Sequence, residues 1–423
     1  MDGQALGERR VVVVGAGFAG LCAAVRLAEA GVAVELIEAT GAGGGRSRSF
    51  RHPGSGLELD NGQHLMMGCY RETLDFLRAI GGEAEVWFQR NLEIDMVRPG
   101  GGRVRLRCPA LPAPLHLAAG LASMRGLGLV HKAAALRAGL LLRGEADRPD
   151  DNETCDAWLT RLGQTQGIRA AFWDPLIWAV LNDDPLVSSA AMLVAVLDRA
   201  VGGTRDASRL GVPRVPLSQL YVGRALKLLR ERGAKIRLAT PMRKIEVDGN
   251  GVTGVRLRNG EVVEADTVIS AVPPNPLLDA LPDAARRHPV FADVGRLGVS
   301  PIVNVWAFCD RAPFTDAKFV GLIGSPLHWL FNRSAIEDLD EPGTLLNCTI
   351  SGARGMVDDR PDSLVELLKA ELSRFFPDRP VELSNFKVVK EKRATISHAA
   401  GTYQRRPETV SPVRGLMLAG DWV

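Results

Sequence analysis

Three glycines and one acid near the start of the chain have the spacing of a nucleotide-binding motif. Residues 15–20 read Gly-Ala-Gly-Phe-Ala-Gly, which is G-x-G-x-x-G, and Glu38 follows them. In this motif the first glycine permits a tight turn, the second lets a pyrophosphate approach the backbone, and the third lets a helix pack closely on a strand. An acid after the next strand binds a ribose diol. The residues therefore predict a site for an adenosine dinucleotide without a 2′-phosphate.

The sequence also predicts the strands and the helix that must position this motif. Val11 to Val14 is predicted to be a buried strand, Phe18 to Ala30 a helix, and Val32 to Ile37 a second strand that ends at Glu38. The motif therefore lies in a strand, turn and helix, as a dinucleotide site requires. A glycine-rich turn without a ligand is the alternative, but it would not need the acid.

A second glycine-rich turn, Gly44-Gly45-Arg46, follows Glu38 closely. An arginine beside two glycines can bring its guanidinium group to a phosphate without steric obstruction. The alternative is a solvated basic loop that also contains Arg48 and Arg51.

The composition limits the class of protein. With 423 residues, 46% of them hydrophobic and 24% charged, the chain is predicted to be globular with two domains. A net charge of +3 is too small to indicate nucleic-acid binding. The six cysteines are scattered without a C-x-x-C pair, which indicates neither a disulfide framework nor a zinc site and favours a reducing cytoplasm.

The apolar stretch at residues 11–25 is not predicted to be a signal peptide, because glycines interrupt it at turn spacing and Arg26 and Glu29 follow it. Elsewhere no run of eighteen uninterrupted apolar residues predicts a transmembrane helix. A peripheral contact with a membrane is a separate possibility. Residues 96–143 contain no Asp or Glu but eight Lys or Arg among apolar residues, a composition suited to an anionic lipid surface. The alternative is a buried helix pair with a basic rim.

The Gly-Gly-Arg turn after the acid resembles that of the flavin-containing amine oxidase and phytoene desaturase superfamily. Four further segments together resemble the hydroxysqualene dehydroxylases, which are squalene-associated FAD-dependent enzymes of hopanoid biosynthesis. These segments are LDNGQHLMMGCYRETLDFLRAIGG (59–82), FWDPLIWAVLNDDP (172–185), VPRVPLSQLY (212–221) and EKRATISH (391–398). The resemblance runs from about residue 9 to the last residue and implies FAD as cofactor and reductive removal of the hydroxyl of hydroxysqualene, giving squalene.

The resemblance also implies the fold and the cofactor site. The fold class is α/β, with a Rossmann-like FAD-binding domain of the GR2 type interleaved with a mixed helical and antiparallel-sheet substrate domain. We expect residues 1–80, 206–290 and 391–423 in the first domain, and residues 81–205, mostly helical, and 291–390 in the second. The implied cofactor-binding residues are Gly15, Gly17, Phe18, Ala19, Gly20, Glu38, Ala39, Gly44, Gly45, Arg46, Asn61, Gly62, Arg243, Lys244, Gly420 and Asp421.

Within this set, Arg46 is expected at the FAD pyrophosphate, the backbone near Arg243 and Lys244 at adenine, and Gly420 with Asp421 at the pyrophosphate and ribityl chain. In the family a helix follows Asp421, and its N-terminal end points at the flavin pyrimidine. The given sequence stops at Val423. We expect a chain with this end to bind FAD weakly or to lose it on dilution.

Removal of a hydroxyl group requires an acid, because hydroxide is a poor leaving group. It also requires a hydride, which the reduced flavin supplies. Asp60 and His64 are the predicted catalytic residues, since in the superfamily their segment passes close to the flavin ring. Asp183 and Asp184 are less favoured candidates. Each has an ordinary alternative: a turn for Asp60, a core histidine for His64, and a helix start for the aspartate pair. Five aromatic residues are candidates for a substrate cavity or plain core: Trp173, Trp178, Trp306, Trp329 and Phe331.

The implied partners are a long-chain isoprenoid substrate, an anionic membrane and an unidentified electron donor, which could be a transiently bound nicotinamide or a protein. The predicted location is the cytoplasm, on the inner face of the cytoplasmic membrane. Two alternatives remain open. One is a related flavin desaturase or amine oxidase, and the other is a prenyl-lipid carrier of the GDP-dissociation-inhibitor type that has lost FAD.

Overall fold

The computed structural model describes residues 10–141, 144, 146–339 and 343–423. Its strands are β1 (Val11–Val14), β2 (Val34–Ile37), β3 (Ser49–Arg51), β4 (Glu58–Asp60), β5 (Met66–Met67), β6 (Val86–Phe88), β7 (Glu93–Val97), β8 (Arg103–Arg107), β9 (Leu210–Pro213), β10 (Lys235–Arg237), β11 (Met242–Asp248), β12 (Gly251–Leu257), β13 (Val262–Glu264), β14 (Thr267–Ser270), β15 (Val299–Cys309), β16 (Phe319–Leu322), β17 (Trp329–Asn332), β18 (Thr344–Ile350), β19 (Leu383–Ile396) and β20 (Leu416–Leu418).

Its α-helices are α1 (Phe18–Glu29), α2 (Arg71–Ala79), α3 (Leu115–Ala122), α4 (Leu129–Leu141), α5 (Cys155–Arg161), α6 (Gln166–Ile168), α7 (Asp174–Leu181), α8 (Ala190–Val201), α9 (Arg224–Glu231), α10 (Pro274–Ala280), α11 (Asp283–Arg286), α12 (Pro289–Val294), α13 (Arg333–Glu337) and α14 (Pro361–Phe375). A π-helical turn, Arg169–Trp173, joins α6 to α7, and a second one, Ser218–Gly223, precedes α9.

A parallel five-stranded sheet carries the glycine motif. Its order is β10-β2-β1-β14-β20, and β1 is buried throughout in the middle. The run of four valines forms this strand because a central parallel strand is covered on both faces. Helix α1 starts at Phe18, as predicted, and packs its buried face on the sheet and on α9. The carboxyl ends of β1 and β2 therefore lie side by side.

A second sheet contains seven strands in the order β19-β15-β18-β17-β16-β7-β8, antiparallel except for the pairing of β16 with β7. One face packs against α14, and the β7, β8 and β17 part of the other face packs against the helices between residues 155 and 201. The α/β fold with a mixed helical and antiparallel-sheet region is confirmed.

Residues 81–107 differ from the prediction, since they form β6, β7 and β8 where mostly helix was expected. The segment Arg103–Arg107 reads Arg-Val-Arg-Leu-Arg, and its buried and exposed residues alternate with the period of a strand. A tight hairpin at residues 249–250 joins β11 to β12.

The strands of the parallel sheet come from the three segments assigned to the FAD domain. Strand β19 runs across the predicted boundary at residue 390. The division into domains stays a prediction. None of the described helices combines the length and apolar character needed to cross a membrane.

Candidate active site

The turn between β1 and α1 leaves room for a phosphate. Gly15 has a φ of 102°, and a Cβ on Gly20 would lie 1.8 Å from the carbonyl oxygen of Gly15. A Cβ on Gly17 would meet no atom within 4 Å. Helix α1 starts at Phe18 without a side-chain cap, so the amides of its first turn are available to an anion. Glycines 15 and 20 are thus required by the backbone, whereas Gly17 keeps a space open.

Glu38 lies at the end of β2, beside this turn. One of its carboxylate oxygens accepts a hydrogen bond from the Ala16 N–H (2.7 Å), and the other accepts from the N–H and hydroxyl of Thr40 (2.9 and 2.8 Å). The Thr240 N–H donates to the Glu38 carbonyl at 2.8 Å, so the segment that leads into Arg243 and Lys244 crosses over Glu38. Both of these basic side chains are exposed, as is Ala39.

Arg46 and Asp421 are brought together across the sheet edge. The Arg46 guanidinium donates two hydrogen bonds to the Asp421 carboxylate, at 2.7 and 2.6 Å, and a third to the Ala394 carbonyl at 2.6 Å. Burial is the largest single influence and raises the pKa of Asp421, but the hydrogen bonds from Arg46, its positive charge and hydrogen bonds from the backbone together outweigh it, so the net shift of the pKa is downward. Gly44 and Gly45, with φ of 110° and 54°, form the turn that presents Arg46.

The turn at Gly420 is held by a buried tryptophan. Gly420 has a φ of 148°, and the Trp422 indole N–H donates to the Val272 carbonyl at 3.2 Å. Arg406, which the sequence did not single out, donates to the Asp421 carbonyl at 2.8 Å. Its Nε and second terminal nitrogen are buried and have no hydrogen-bond partner among the described residues. Arg406 thus adds a second guanidinium group to the Arg46 and Asp421 cluster.

Asp60 is 1% exposed at the end of β4. Its Oδ1 accepts hydrogen bonds from the Leu217 N–H (2.8 Å) and the Ser49 hydroxyl (2.7 Å), and its Oδ2 lies 3.8 Å from an Nη of Arg333. The Trp306 indole N–H donates to the Asp60 carbonyl at 3.2 Å. Asp60 therefore ties the segment after the glycine turns to the seven-stranded sheet through its backbone carbonyl, and its carboxylate fixes the neighbouring residues Ser49 and Leu217.

Arg333 is the second member of this buried charge cluster, and sequence reasoning missed it. It is 1% exposed, pairs with Glu337 one helical turn later, and donates to the Gln63 side-chain oxygen at 2.7 Å. Burial lowers the pKa of Arg333, and the Asp60 carboxylate opposes that shift. Arg333 therefore fixes both Asp60 and Gln63, on either side of Asn61 and Gly62.

His64, the second predicted catalytic residue, comes directly after Gln63 in the chain. Its Nδ1 lies 2.8 Å from the Gly62 carbonyl oxygen, so Nδ1 carries the proton in this contact, and Nε2 makes no hydrogen bond within the described part of the chain. The Asn61 amide donates to Glu391 at 3.1 Å, and a Cβ on Gly62 would lie 2.4 Å from the Asn304 amide nitrogen. The segment is held on both sides.

Asp183 connects distant segments of the chain through its buried carboxylate. Its carboxylate accepts hydrogen bonds from Arg354 (2.8 Å), the Ser397 hydroxyl (2.7 Å) and the His398 N–H (2.9 Å). These contacts join the segments 172–185 and 391–398, whose resemblance to one family was noted from the sequence. Asp184 accepts from the Leu186 N–H at 2.8 Å, as in a turn.

An apolar cavity lies between the seven-stranded sheet and the helices that pack on it. Leu65 and Met67, which follow His64, form part of its wall. The space that protein atoms leave free, including the part open to solvent, is about 1010 Å³. The lining residues are Leu65, Met67, Tyr70, Leu92, Ile94, Met96, Leu106, Leu117, Met124, Ala171, Phe172, Pro175, Leu176, Ala179, Val180, Val196, Leu197, Ala200, Val201, Ser208, Leu210 and Trp329.

Of the five aromatic candidates, only Trp329 belongs to this lining. Asp60 and His64 do not belong to it, so their catalytic role stays a prediction. The π-helical turn at Arg169–Trp173 contributes Ala171 and Phe172 to the wall.

A glycine turn with an adjoining acid, a paired arginine and an apolar cavity are the features that the comparisons with known proteins must explain. The family model for flavin containing amine oxidoreductases matches residues 18–423, and the chain belongs to this family. It is an FAD-dependent oxidoreductase. The space beside Gly17 and the uncapped start of α1 fit the cofactor's pyrophosphate.

Two relatives and one solved structure are similar to this chain over nearly its whole length. The chain is 29% identical to a hydroxysqualene dehydroxylase of Rhodopseudomonas palustris, over 98% of this chain and 93% of the relative. It is 24% identical to a 15-cis-phytoene desaturase of Synechococcus elongatus, over 98% and 90%. The fold is similar to that of an oxidoreductase from Methanosarcina mazei, with a TM-score of 0.74, 17% identity, and coverage of 98% of this chain and 95% of that one.

Proposed function

We propose that this oxidoreductase removes the hydroxyl group of hydroxysqualene reductively and releases squalene, a step of hopanoid biosynthesis. The observation that carries the proposal is the apolar cavity, whose wall begins at Leu65 and Met67, directly after the segment Asp60–His64. An almost wholly apolar lining of this kind suits a hydrocarbon chain. Two of the similar proteins reported above carry the names of enzymes for long isoprenoids, and one of them is named for this reaction.

The proposed cofactor contacts follow the geometry of the turns. Gly15, Gly17 and Gly20 with the first turn of α1 hold the pyrophosphate, and Glu38 holds the adenosine ribose in place of its present contact with Ala16. Arg46 and Asp421 close the site from the opposite side. When bound in its reduced form, FAD supplies the hydride that replaces the hydroxyl group. The products are squalene, oxidised FAD and water.

This cofactor assignment predicts an effect for Gly17→Ala. The added methyl group meets no protein atom, so the free energy of unfolding of the FAD-free protein stays within about 0.5 kcal/mol. The methyl group does occupy the space next to the pyrophosphate, and FAD affinity falls about tenfold to a hundredfold. Flavin absorbance titrations measure this. Gly203→Ala, also without neighbours within 4 Å, is the control and leaves affinity unchanged. Equal affinities of the two variants contradict the assignment.

We propose that His64, and not Asp60, donates the proton to the departing hydroxyl group. Its Nε2 makes no hydrogen bond within the described part of the chain, whereas both carboxylate oxygens of Asp60 face other protein groups. We therefore assign proton donation to His64 and positioning of the segment to Asp60. The proton leaves Nε2 of the doubly protonated ring, because the Nδ1 proton is donated to the Gly62 carbonyl. The surrounding apolar walls exclude water from the reacting carbon.

We further propose that the substrate arrives from an anionic membrane surface. Leu117 of α3 lines the cavity, while Leu115 on the same helix is 54% exposed. Leu129 and Val130 at the start of α4 are 81% and 70% exposed. Such an apolar surface around a cavity that holds a water-insoluble substrate favours contact with lipid. The membrane is the inner face of the cytoplasmic membrane in this proposal.

The charges near this surface are fewer than the sequence count suggested. Arg103 and Arg105 pair with Asp316, and Arg107 pairs with Asp95, so these three contribute little to a positive surface. Arg98, Arg125, Lys132 and Arg137 have no ion pair with any described residue, and Arg143 lies outside the described residues. The attraction to anionic lipid is thus expected to depend on Arg98, Arg125, Lys132 and Arg137.

Membrane contact predicts that the double variant Leu129→Glu/Val130→Glu binds anionic vesicles at least about tenfold more weakly, because two apolar side chains leave the lipid and two negative charges enter it. Vesicle flotation at low salt measures the bound fraction. Val410→Glu is the control, since Val410 is 72% exposed in another part of the chain. Unchanged flotation of the double variant, or no flotation of the wild type, contradicts the contact.

The reaction is tested by anaerobic incubation of the photoreduced holoenzyme with hydroxysqualene. We expect stoichiometric reoxidation of the flavin and formation of squalene. Bleaching of the oxidised flavin by phytoene or by an amine, without reoxidation by hydroxysqualene, would reject the proposal in favour of a desaturase or an amine oxidase. A purified protein that binds no FAD even when the cofactor is added in excess would favour the prenyl-lipid carrier.

A further inference from the structure

We propose that an open groove beside helix α4 binds the phosphate group of an anionic phospholipid, with Arg98 and His131 as its hydrogen-bond donors. The inference rests on the proposed membrane contact, because it names a discrete site for one lipid headgroup at that surface. It differs from the general attraction of positive charges to anionic lipid, which needs no defined geometry. The groove shares no lining residue with the apolar cavity.

The groove lies where the ends of β7 and β16 meet helices α4 and α6. Its lining residues are Arg98, His131, Gln166, Gly167, Ala170 and Ile323. Arg98 and Ile323 come directly after the two strands, and the Ile323 N–H donates to the Val97 carbonyl at 2.9 Å, which keeps the strand ends side by side. The lining contains two basic side chains and no Asp or Glu, so its composition favours an anion.

The Arg98 side chain is available to a ligand. It is half-buried and makes no hydrogen bond or ion pair with any described residue. Its guanidinium nitrogens are not among the polar atoms that are buried without a partner, so solvent reaches them. A guanidinium group presents two parallel N–H donors that match two oxygens of one phosphate. Arg98 can therefore bind a phosphate without first breaking a contact within the protein.

The His131 ring lies against Gly167. A Cβ on Gly167 would lie 2.6 Å from Nε2 and 2.8 Å from Cδ2 of the ring, so the glycine provides the room that the imidazole occupies. Nδ1 lies 2.7 Å from the hydroxyl oxygen of Thr165, and when that hydroxyl donates to Nδ1, Nε2 carries the hydrogen of the neutral ring. Nε2 has no partner among the described residues and is not buried, so it can donate to a phosphate oxygen.

The position of the groove favours a lipid headgroup over a free phosphate ion. Leu129 and Val130, which are 81% and 70% exposed, directly precede His131 in the chain. These two side chains belong to the surface proposed above to contact lipid. A phospholipid whose phosphate is held by His131 has its acyl chains beside them, where they bury apolar surface. A free phosphate ion gains nothing from these apolar side chains.

Short-chain lipids below their micelle-forming concentration test the site without a charged membrane. Calorimetric titration of the FAD-loaded protein with dihexanoyl phosphatidylglycerol should give a dissociation constant at least about tenfold lower than titration with inorganic phosphate. Arg98→Gln should weaken binding of this lipid about tenfold or more, because it removes charge-assisted hydrogen bonds. Arg125→Gln is the matched control. Arg125 is exposed, has no ion pair with any described residue and lies outside the groove lining, so the affinity should stay within about twofold.

A measurement on the wild-type protein guards against a folding defect of Arg98→Gln. With ¹⁵N-labelled histidine, the ring resonance that is absent in His131→Gln should move on addition of dihexanoyl phosphatidylglycerol. It should move less with dihexanoyl phosphatidylcholine, whose positive choline group is unfavourable beside Arg98.

Four results overturn the inference: no binding of the anionic lipid, equal affinity for this lipid and inorganic phosphate, equal affinities of the two arginine variants, or a His131 resonance that responds equally to both lipids. Binding of the short-chain lipid without vesicle flotation refutes the membrane contact alone. Flotation of the wild type with equal short-chain affinities of Arg98→Gln and Arg125→Gln refutes the groove site alone.

Discussion

Arg333→Met is expected to lower the free energy of unfolding by about 3–5 kcal/mol, because it leaves the carboxylates of Asp60 and Glu337 buried without their cation. Asp60 is 1% exposed, and its Oδ2 makes no hydrogen bond with any described residue and lies 3.8 Å from Arg333. Chemical denaturation of the FAD-free protein measures the loss. We expect FAD to bind less tightly as well, since the segment Asp60–His64 loses one of its supports.

The control for this prediction is Arg296→Met. Arg296 also pairs with an acid, Asp293, but both side chains are exposed, at 68% and 41%, and the change should cost less than about 1 kcal/mol. Adding Glu337→Leu to Arg333→Met removes one of the two stranded carboxylates and should restore part of the stability. Equal losses in the two arginine variants would mean that the buried cluster contributes no more than a surface ion pair.

His64→Gln is expected to slow reoxidation of the reduced flavin by hydroxysqualene about 10²–10⁴-fold, the usual contribution of a general acid. Glutamine retains an N–H for the Gly62 carbonyl but lacks a titrating nitrogen. FAD affinity and the free energy of unfolding should stay unchanged, because the hydrogen bond of the segment is kept. Anaerobic stopped-flow absorbance measures the rate.

The matched control is His288→Gln, at the start of α12. It should leave the rate unchanged. A loss of less than about tenfold in His64→Gln contradicts the assignment of the proton to His64. If Asp60→Asn slows flavin reoxidation by the same factor and leaves the free energy of unfolding unchanged, the proton donor is Asp60.

Local patterns made part of this structure predictable. The strand Val11–Val14 and the start of α1 at Phe18 appear as expected, since four valines suit a covered parallel strand and glycine spacing marks the turn. Helix α14 begins at Pro361, because proline suits the first helical turn. The prediction of mostly helix was wrong for residues 81–107. It followed the apolar composition and gave too little weight to the alternation of residues in Arg103–Arg107, which is typical of a strand.

By itself, the sequence determined the features that neighbouring residues control: the glycine turn, the acid that follows it, and a family resemblance that runs to the last residue. The tertiary structure alone decided which distant side chains meet. Arg333 reaches Gln63 across 270 residues of chain, and Trp329 enters the same cavity wall as Leu65. No period or spacing predicts such contacts, because they depend on how two sheets and the intervening helices pack. Burial then gives these side chains their importance, since a charge or an N–H without a partner is costly only where water is excluded.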